Sequence, residues 1–402
     1  MAKKTRTPNS GTLPVSRRDL LALGASTAGL VSLSSLGSLI GVRRAMAAEA
    51  TINLCSWGGA YQSSQINAYE KPYRRKTGFN FRNIEKSSNG PALITAQEQS
   101  GNASWVSWDI VDMLQADANR LYSQRLLQEI VWDKDLDRAP DGTPAWDDFT
   151  KGSLSGGDDK SGGFVSTISY NTMFCYNKIA FPNGGPRSVQ DVFDVAKFAG
   201  KRGLQKIPAG NLEWALYADG VAKDKIYDVL ATPAGVDRAF KKLDALKPHA
   251  MWWSEGSQPQ EMLAQGEVTI ASAYNGRIFD AIVANGDPLG FIWDGGLYEW
   301  DGWVVPAILP KDRKKRAMEF LRFSTSTKSL AEQARYIAYS PARKSSFAQM
   351  ADITYYKNTK IKMMPYLPTS PDHLKLSIAK SASFWSAHGP ALIGRFQTWL
   401  AS

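Results

Sequence analysis

Cysteine and histidine are scarce in this chain, and their scarcity removes whole classes of chemistry. Two cysteines, Cys55 and Cys175, stand far apart in 402 residues, and the three histidines, His249, His373 and His388, form no His-Glu-x-x-His run. With no Cys-x-x-Cys pair either, the ligand spacing of zinc and di-metal sites is missing. A Gly-x-Ser-x-Gly elbow and a glycine loop ending in Gly-Lys-Ser or Gly-Lys-Thr are also absent, which removes the strongest signals of serine hydrolases and of nucleotide hydrolysis. No cofactor and no catalytic residue are expected. Each cysteine sits in an apolar, strand-like run, residues 52–57 and 173–176, where a free thiol packs as a small hydrophobe. Export to an oxidising compartment would also permit a disulfide. Tyr355-Tyr356 offers two phenol oxygens without further oxygen ligands nearby in sequence, and it reads as two packed aromatics rather than an iron site.

Excess charge thins out once the first residues are set aside. Ser16-Arg17-Arg18-Asp19-Leu20-Leu21 places a twin arginine ahead of a weakly apolar stretch, residues 20–40, that is broken by Gly and Ser and ends in Ala45-Met46-Ala47. This is the pattern of a cleaved export signal, and Arg43 and Arg44 before the small-residue site suit the twin-arginine route. Residues 1–47 are thus expected to be a signal peptide cut near Ala47, leaving a soluble periplasmic protein. Lys3, Lys4, Arg6, Arg17, Arg18, Arg43 and Arg44 stand there against Asp19 alone, so most of the formal charge of +10 belongs to this segment. The remainder, about +4, is too small and scattered to argue for nucleic acid. The run Lys311-Asp312-Arg313-Lys314-Lys315-Arg316 reads as the solvated face of a helix.

What is present is a steady alternation of strands and helices. Ile52 and Leu54 alternate with polar neighbours, Gly58-Gly59 breaks the strand, and Ile66, Tyr69 and Tyr73 share a helical face that Gly78 ends. Pro72 inside this helix predicts a kink or a weakened turn. Further on, residues 164–177 and 298–309 read as long β-rich passages, with helix–strand units between them. The fold class is α/β: two lobes, each a mixed, mainly parallel sheet flanked by helices, with a ligand cleft between them. The first lobe is expected over 48–166 and 303–345, the second over 167–302 and 346–402, with hinges near 166–170 and 300–306.

Aromatic residues stand beside acids or amides at the predicted strand ends. Trp57-Gly58-Gly59-Ala60-Tyr61 closes the first strand, Asp112 ends the one that Trp108-Asp109 opens, and Asn211-Leu212-Glu213-Trp214 starts a helix. Tyr274-Asn275-Gly276 follows another strand, and Glu299-Trp300-Asp301-Gly302-Trp303 lies in the second long passage. Ring faces attract ammonium groups and carboxylates accept charge-assisted hydrogen bonds, so the combination suits a cation. Arg277 is expected to point outward or pair with an acid, because an unpaired arginine would oppose such a ligand.

The segments GEVTIASAYNGRIFDAIVANGDPLGFIW, YEWDGWVVPAILP with its following helix, and LCSWGGAYQ resemble the periplasmic solute-binding proteins of bacterial ABC importers, in the branch that contains the spermidine and putrescine receptors. The resemblance covers nearly all of the chain after the leader. It implies a monomeric, non-enzymatic receptor that closes around a small cationic solute, polyamine or diamine in kind, and delivers it to a permease and ATPase complex at the inner membrane. It further implies that Trp57 and Tyr274 stack on the solute and that Asp301, five residues before Pro306, accepts from its amine. Glu213 or Asn211 would supply another acceptor and Tyr339 a further wall; Tyr61, Asp112, Asn275 and Glu299 complete the expected site. The alternative is the same fold with an amino-acid-like or other zwitterionic or anionic solute, whose carboxylate would meet Gly58-Gly59 or a helix N-terminus. A more remote alternative is an exported carbohydrate-active enzyme with two carboxylates and tryptophan platforms.

Overall fold

In a computed structural model the chain divides into two units, Met1–Ala48 and Glu49–Ser402. The structure describes residues 50–402 apart from 86, 104–105 and 156–159, so the signal peptide expected over 1–47 lies outside the described residues. Among the described residues no helix is long and apolar enough to cross a membrane.

One mixed sheet runs through the second unit. Its strands are β1 (Thr51–Ser56), β2 (Asn80–Glu85), β3 (Ile110–Leu114), β4 (Val165–Asn177), β5 (Arg202–Gln205), β6 (Ala250–Trp253), β7 (Ile270–Tyr274), β8 (Leu289–Val304), β9 (Ser340–Pro341) and β10 (Ile378–Ala379). The spatial order is β2-β1-β3-β8-β4-β7-β5-β6, with β9 joined to β4 and β10 to β8. Three parallel strands, β2-β1-β3, stand at one end and three more, β7-β5-β6, at the other. Between them the long antiparallel pair β4 and β8 serves both: Asp301–Val304 pairs with β3, while Thr172–Tyr176 pairs with β7.

Each parallel group carries its own apolar core. Ile52, Leu54, Tyr69, Trp303 and Phe320 lie in the first, and Phe174, Trp214, Phe240, Leu297 and Phe396 in the second. A smaller aromatic cluster of Tyr61, Ile168, Tyr170, Ile337 and Tyr339 sits between them, against the middle of β4. The architecture is therefore α/β and two-lobed, and the two lobes share the β4/β8 pair. Cys55 and Cys175 lie in β1 and β4 and are both buried free thiols.

The first helix carries the weakened turn expected near Pro72. The helix does not break at Pro72; it runs from Gly59 to Thr77 with one widened turn, Ile66–Glu70, just ahead of the proline. A π-turn at that point accommodates the missing proline N–H. Gly78 ends the helix in the left-handed conformation at φ 79°, with its amide donating to Arg74 at 2.8 Å.

A buried ion pair fastens the segment after β9. The Arg343 guanidinium, fully buried, donates to Asp148 at 2.9 Å, to the Thr325 carbonyl at 2.6 Å and to the Asp137 carbonyl at 2.8 Å. Asp148 also receives the Ser345 amide at 2.9 Å. Removing one partner of such a pair strands the other charge in the interior, which costs about 3–5 kcal/mol. Arg343→Met is expected to lower the unfolding free energy by that amount in a urea titration. A loss under about 1 kcal/mol would show instead that water reaches Asp148 and that the pair is dispensable.

Candidate functional site

The carboxyl ends of the parallel strands from both groups open on one cavity of about 350 Å³. Ser56 and Trp57 enter from the end of β1, Leu114 from β3, Gln205 from β5 and Tyr274 from β7. Ligand pockets run from roughly 300 to 1,000 Å³, so this one suits a small solute. Its floor is the shared strand pair. Ile168, Tyr170 and Thr172 project from alternate positions of β4, and Leu297, Glu299 and Asp301 do the same from β8.

At Asp301 the strand pairing slips: Asp301 faces Ile168 but Gly302 faces Ser166. The slip is a β-bulge, which bends the strand and re-aims the side chain beside it. A Cβ on Gly302 would stand 2.1 Å from the Val165 carbonyl oxygen, so the close approach here requires glycine. Asp301 is buried and has Asp112 of β3 directly behind it. Asp112 accepts from Ser56 Oγ at 3.1 Å and from Gln65 Nε2. Burial drives both carboxyl groups above the usual carboxylate range, and the neighbouring Asp112 pushes Asp301 further. Two buried carboxyl groups so close oppose each other's ionisation.

Four tyrosines surround this pair. Tyr61 meets Tyr339 edge-on at 5.5 Å, Tyr170 lies 6.0 Å from Tyr339, and Tyr170 meets Tyr274 edge-on at 5.5 Å. Burial is the chief reason that all four hydroxyls are raised, and the charge of Asp301 adds to each. Tyr274, whose hydroxyl accepts from Gln205 Nε2 at 2.9 Å, is pushed up to about 12. Tyr274 and Tyr339 feel Arg277 as well, which acts in the opposite direction. The same two rings therefore lie within reach of both a carboxylate and a guanidinium.

Arg277 departs from the expectation that it would face outward or pair with an acid. It lines the cavity, and among the described residues it has no hydrogen-bond or ion-pair partner. Its helix, Asn275–Asp280, starts at the end of β7, so the fourth residue of Tyr274-Asn275-Gly276-Arg277 comes round to the side of the first. Gly276 seats this turn: a Cβ there would stand 2.5 Å from the Tyr339 ring. The guanidinium reaches the opposite lobe, close enough to Gly59 that a Cβ there would lie 2.9 Å from it. The Trp57 indole Nε1, in the same cavity, is a buried donor without a partner among the described residues.

Of the residues singled out in the sequence, Trp57, Tyr61, Tyr274, Glu299, Asp301 and Tyr339 line the cavity. Four stand elsewhere. Asp112 is fully buried on β3, the strand paired with the Asp301 end of β8, and does not line the cavity. Asn275 holds backbone together, accepting from the Asn171 amide at 2.9 Å and donating to the Ala338 carbonyl at 2.6 Å. Asn211 donates to the carbonyls of Gln205 and Ile207. Glu213 is fully buried, bonded to the Gly210 amide, Tyr227 and Trp385. These last three cap or tie helix starts, which is the ordinary use of polar residues beside aromatics at a strand end. Tyr170, Arg277 and Lys380 line the cavity without having been expected to. Tyr170 was legible in the period-2 pattern Ile168-Tyr170-Thr172; Lys380, far along the chain, carried no such signal.

Comparison with known proteins adds kinship to geometry. Residues 66–362 match the family described as bacterial extracellular solute-binding protein. The gamma-aminobutyric acid-binding protein of Pseudomonas aeruginosa is 35% identical over 368 residues, covering 90% of this chain and 96% of that one. The crystal structure of the binding protein MotA from A. tumefaciens B6, in complex with glucopine, is 26% identical with a TM-score of 0.73, covering 87% of this chain and 99% of that one. A solved GABA receptor is 28% identical with a TM-score of 0.69 and coverages of 88% and 98%. The expected kinship with polyamine receptors is more distant. A spermidine/putrescine-binding protein from Streptococcus pneumoniae is 14% identical at a TM-score of 0.62, a likeness of fold alone. This family is extracellular, which implies a periplasmic location, and its members capture a small solute and work with a permease and ATPase. The chain belongs to the bacterial extracellular solute-binding proteins and is the substrate-binding component of an ABC transporter, not an enzyme.

Proposed function

We propose that this protein captures an amino acid with a terminal amine, for which γ-aminobutyric acid is the probe of choice, rather than a polyamine. The observation that carries the reading is the unpaired Arg277 guanidinium in the same cavity as Asp301. A diamine would set its ammonium against Arg277, whereas a zwitterion satisfies both ends at once. The carboxylate takes the guanidinium fork, with the Trp57 N–H as an additional donor. The ammonium lies against Asp301 within the tyrosine rings. The P. aeruginosa relative named for gamma-aminobutyric acid supports the same choice. Closure of the lobes about the middle of β4 and β8 keeps Arg277 against the Gly58-Gly59 turn over the solute, and binding selects that closed state. The twin-arginine leader exports the protein, and the monomer then presents its solute to the permease.

Thermal-shift titration of the purified protein with γ-aminobutyric acid, butane-1,4-diamine, spermidine and succinate tests the reading. A solute at 100 times its dissociation constant stabilises by about 2.7 kcal/mol, a readily visible shift. The ω-amino acid is expected to raise the midpoint. A shift with the diamine or spermidine and none with the amino acid would return the protein to the polyamine reading.

A further inference from the structure

Glu299 stands two residues before Asp301 in β8, on the same face and about 7 Å along the strand. Two carboxylates at that spacing, walled by tyrosines, would make a site for two ammonium groups. The second position is already filled. Lys380 Nζ donates to both carboxylate oxygens of Glu299, at 2.7 and 2.8 Å, and the Tyr170 hydroxyl donates to the same carboxylate at 2.5 Å. Each side chain of the ion pair is only 11% exposed. The lysine is held there by backbone: β10 pairs with β8, and the Lys380 amide donates to the Tyr298 carbonyl at 2.9 Å. Its ammonium also bears on Glu213, which burial raises and Lys380 pulls back down.

We propose that Lys380 is a specificity-determining residue: its tethered ammonium fills the subsite that Glu299 and Tyr170 would otherwise offer to a free amine, so among the buried acids of the cavity only Asp301 is left for a ligand ammonium, the other lining carboxylates, Glu85 and Glu255, being exposed to water, and diamines are disfavoured. The inference rests on the reading in which Asp301 receives the ligand's amine. It makes the choice of a mono-amine a property of one side chain, because removing the lysine leaves a buried carboxylate and a hydroxyl in want of a cation.

Isothermal titration of the wild type, Lys380→Met and Lys380→Met/Glu299→Gln with γ-aminobutyric acid and butane-1,4-diamine decides it. The wild type is expected to bind the diamine at least about 100-fold more weakly than the amino acid. Lys380→Met should gain diamine affinity by at least about tenfold, and the added Glu299→Gln should remove the gain. Should the buried Glu299 prevent Lys380→Met from folding alone, millimolar diamine should restore its thermal transition. A wild type that binds both ligands equally overturns the proposal. So does a folded Lys380→Met without the gain, or an unfolded one that the diamine does not rescue. A wild type that binds no ω-amino acid fails the functional reading instead, and the diamine gain in Lys380→Met is still read independently.

Discussion

Arg277→Met is expected to weaken γ-aminobutyric acid binding about a hundredfold or more while leaving the protein folded. The guanidinium lines the cavity without a partner among the described residues, so its loss removes no structural bond and strands no buried acid. The ligand, by contrast, loses a charge-assisted fork within a partly enclosed cleft, where truncating one partner of a charge pair costs about 2–5 kcal/mol. Each 1.4 kcal/mol is about tenfold in affinity, which sets the expected range. Arg277→Lys keeps the charge but not the fork and should fall between the two. Titration calorimetry checks both variants against the thermal midpoint of each unliganded protein. A loss smaller than about threefold in Arg277→Met would place the solute's carboxylate elsewhere, with Trp57 Nε1 as the next donor to remove. A simple amine without a carboxylate should bind the variant no worse than it binds the wild type, and the clearest control is that comparison within a single preparation.

The strands and helices were legible because their periodicity is strong. Ile52 and Leu54 mark β1, Gly78 closes the first helix in the conformation glycine favours, and the β-rich run at 164–177 becomes β4 almost residue for residue. The rings and acids at strand ends were legible for the same reason, since the carboxyl ends of parallel strands converge. What could not be read was which polar side chain turns inward. Asn275 and Arg277 are two residues apart in one helical turn, yet Asn275 ties three backbone segments and Arg277 enters the cavity. Glu213 and Glu299 both follow the aromatic-and-acid pattern, but helix capping claims one and the remote Lys380 claims the other. Lys380 reaches the site only through β10, a two-residue strand whose pairing with β8 spans some 80 residues of chain and leaves no local trace in the sequence. Period and turn chemistry are local; the partner that neutralises a charge is not.

Asp301→Asn is expected to reduce binding of any amine-bearing solute by about two to three orders of magnitude, because it replaces the charged acceptor by a neutral amide of the same shape. The wild type should show a matching dependence on pH. Burial first, and then the Asp112 charge, raise Asp301, so its carboxyl gives up its proton less readily than that of an isolated aspartate. An arriving ammonium must displace that proton. Affinity therefore falls as pH is lowered from about 8 to about 5, a range in which neither the amine nor the carboxylate of γ-aminobutyric acid titrates appreciably. Stability of the unliganded protein runs the other way. Its raised carboxyls bind protons that the unfolded chain has released, so their contribution is full below the ordinary aspartate range and is lost as pH rises through the raised values. Solute binding restores what ionisation removes, and the ligand-induced thermal shift should grow with pH while the unliganded midpoint declines. Calorimetry in two buffers of different ionisation enthalpy should register proton release on binding, and Asp112→Asn, which removes the charge that lifts Asp301, should move the affinity loss to lower pH. Equal affinity at both ends of the range, with no proton released, would mean that the pair is already ionised and that Asp301 meets the solute as an ordinary carboxylate.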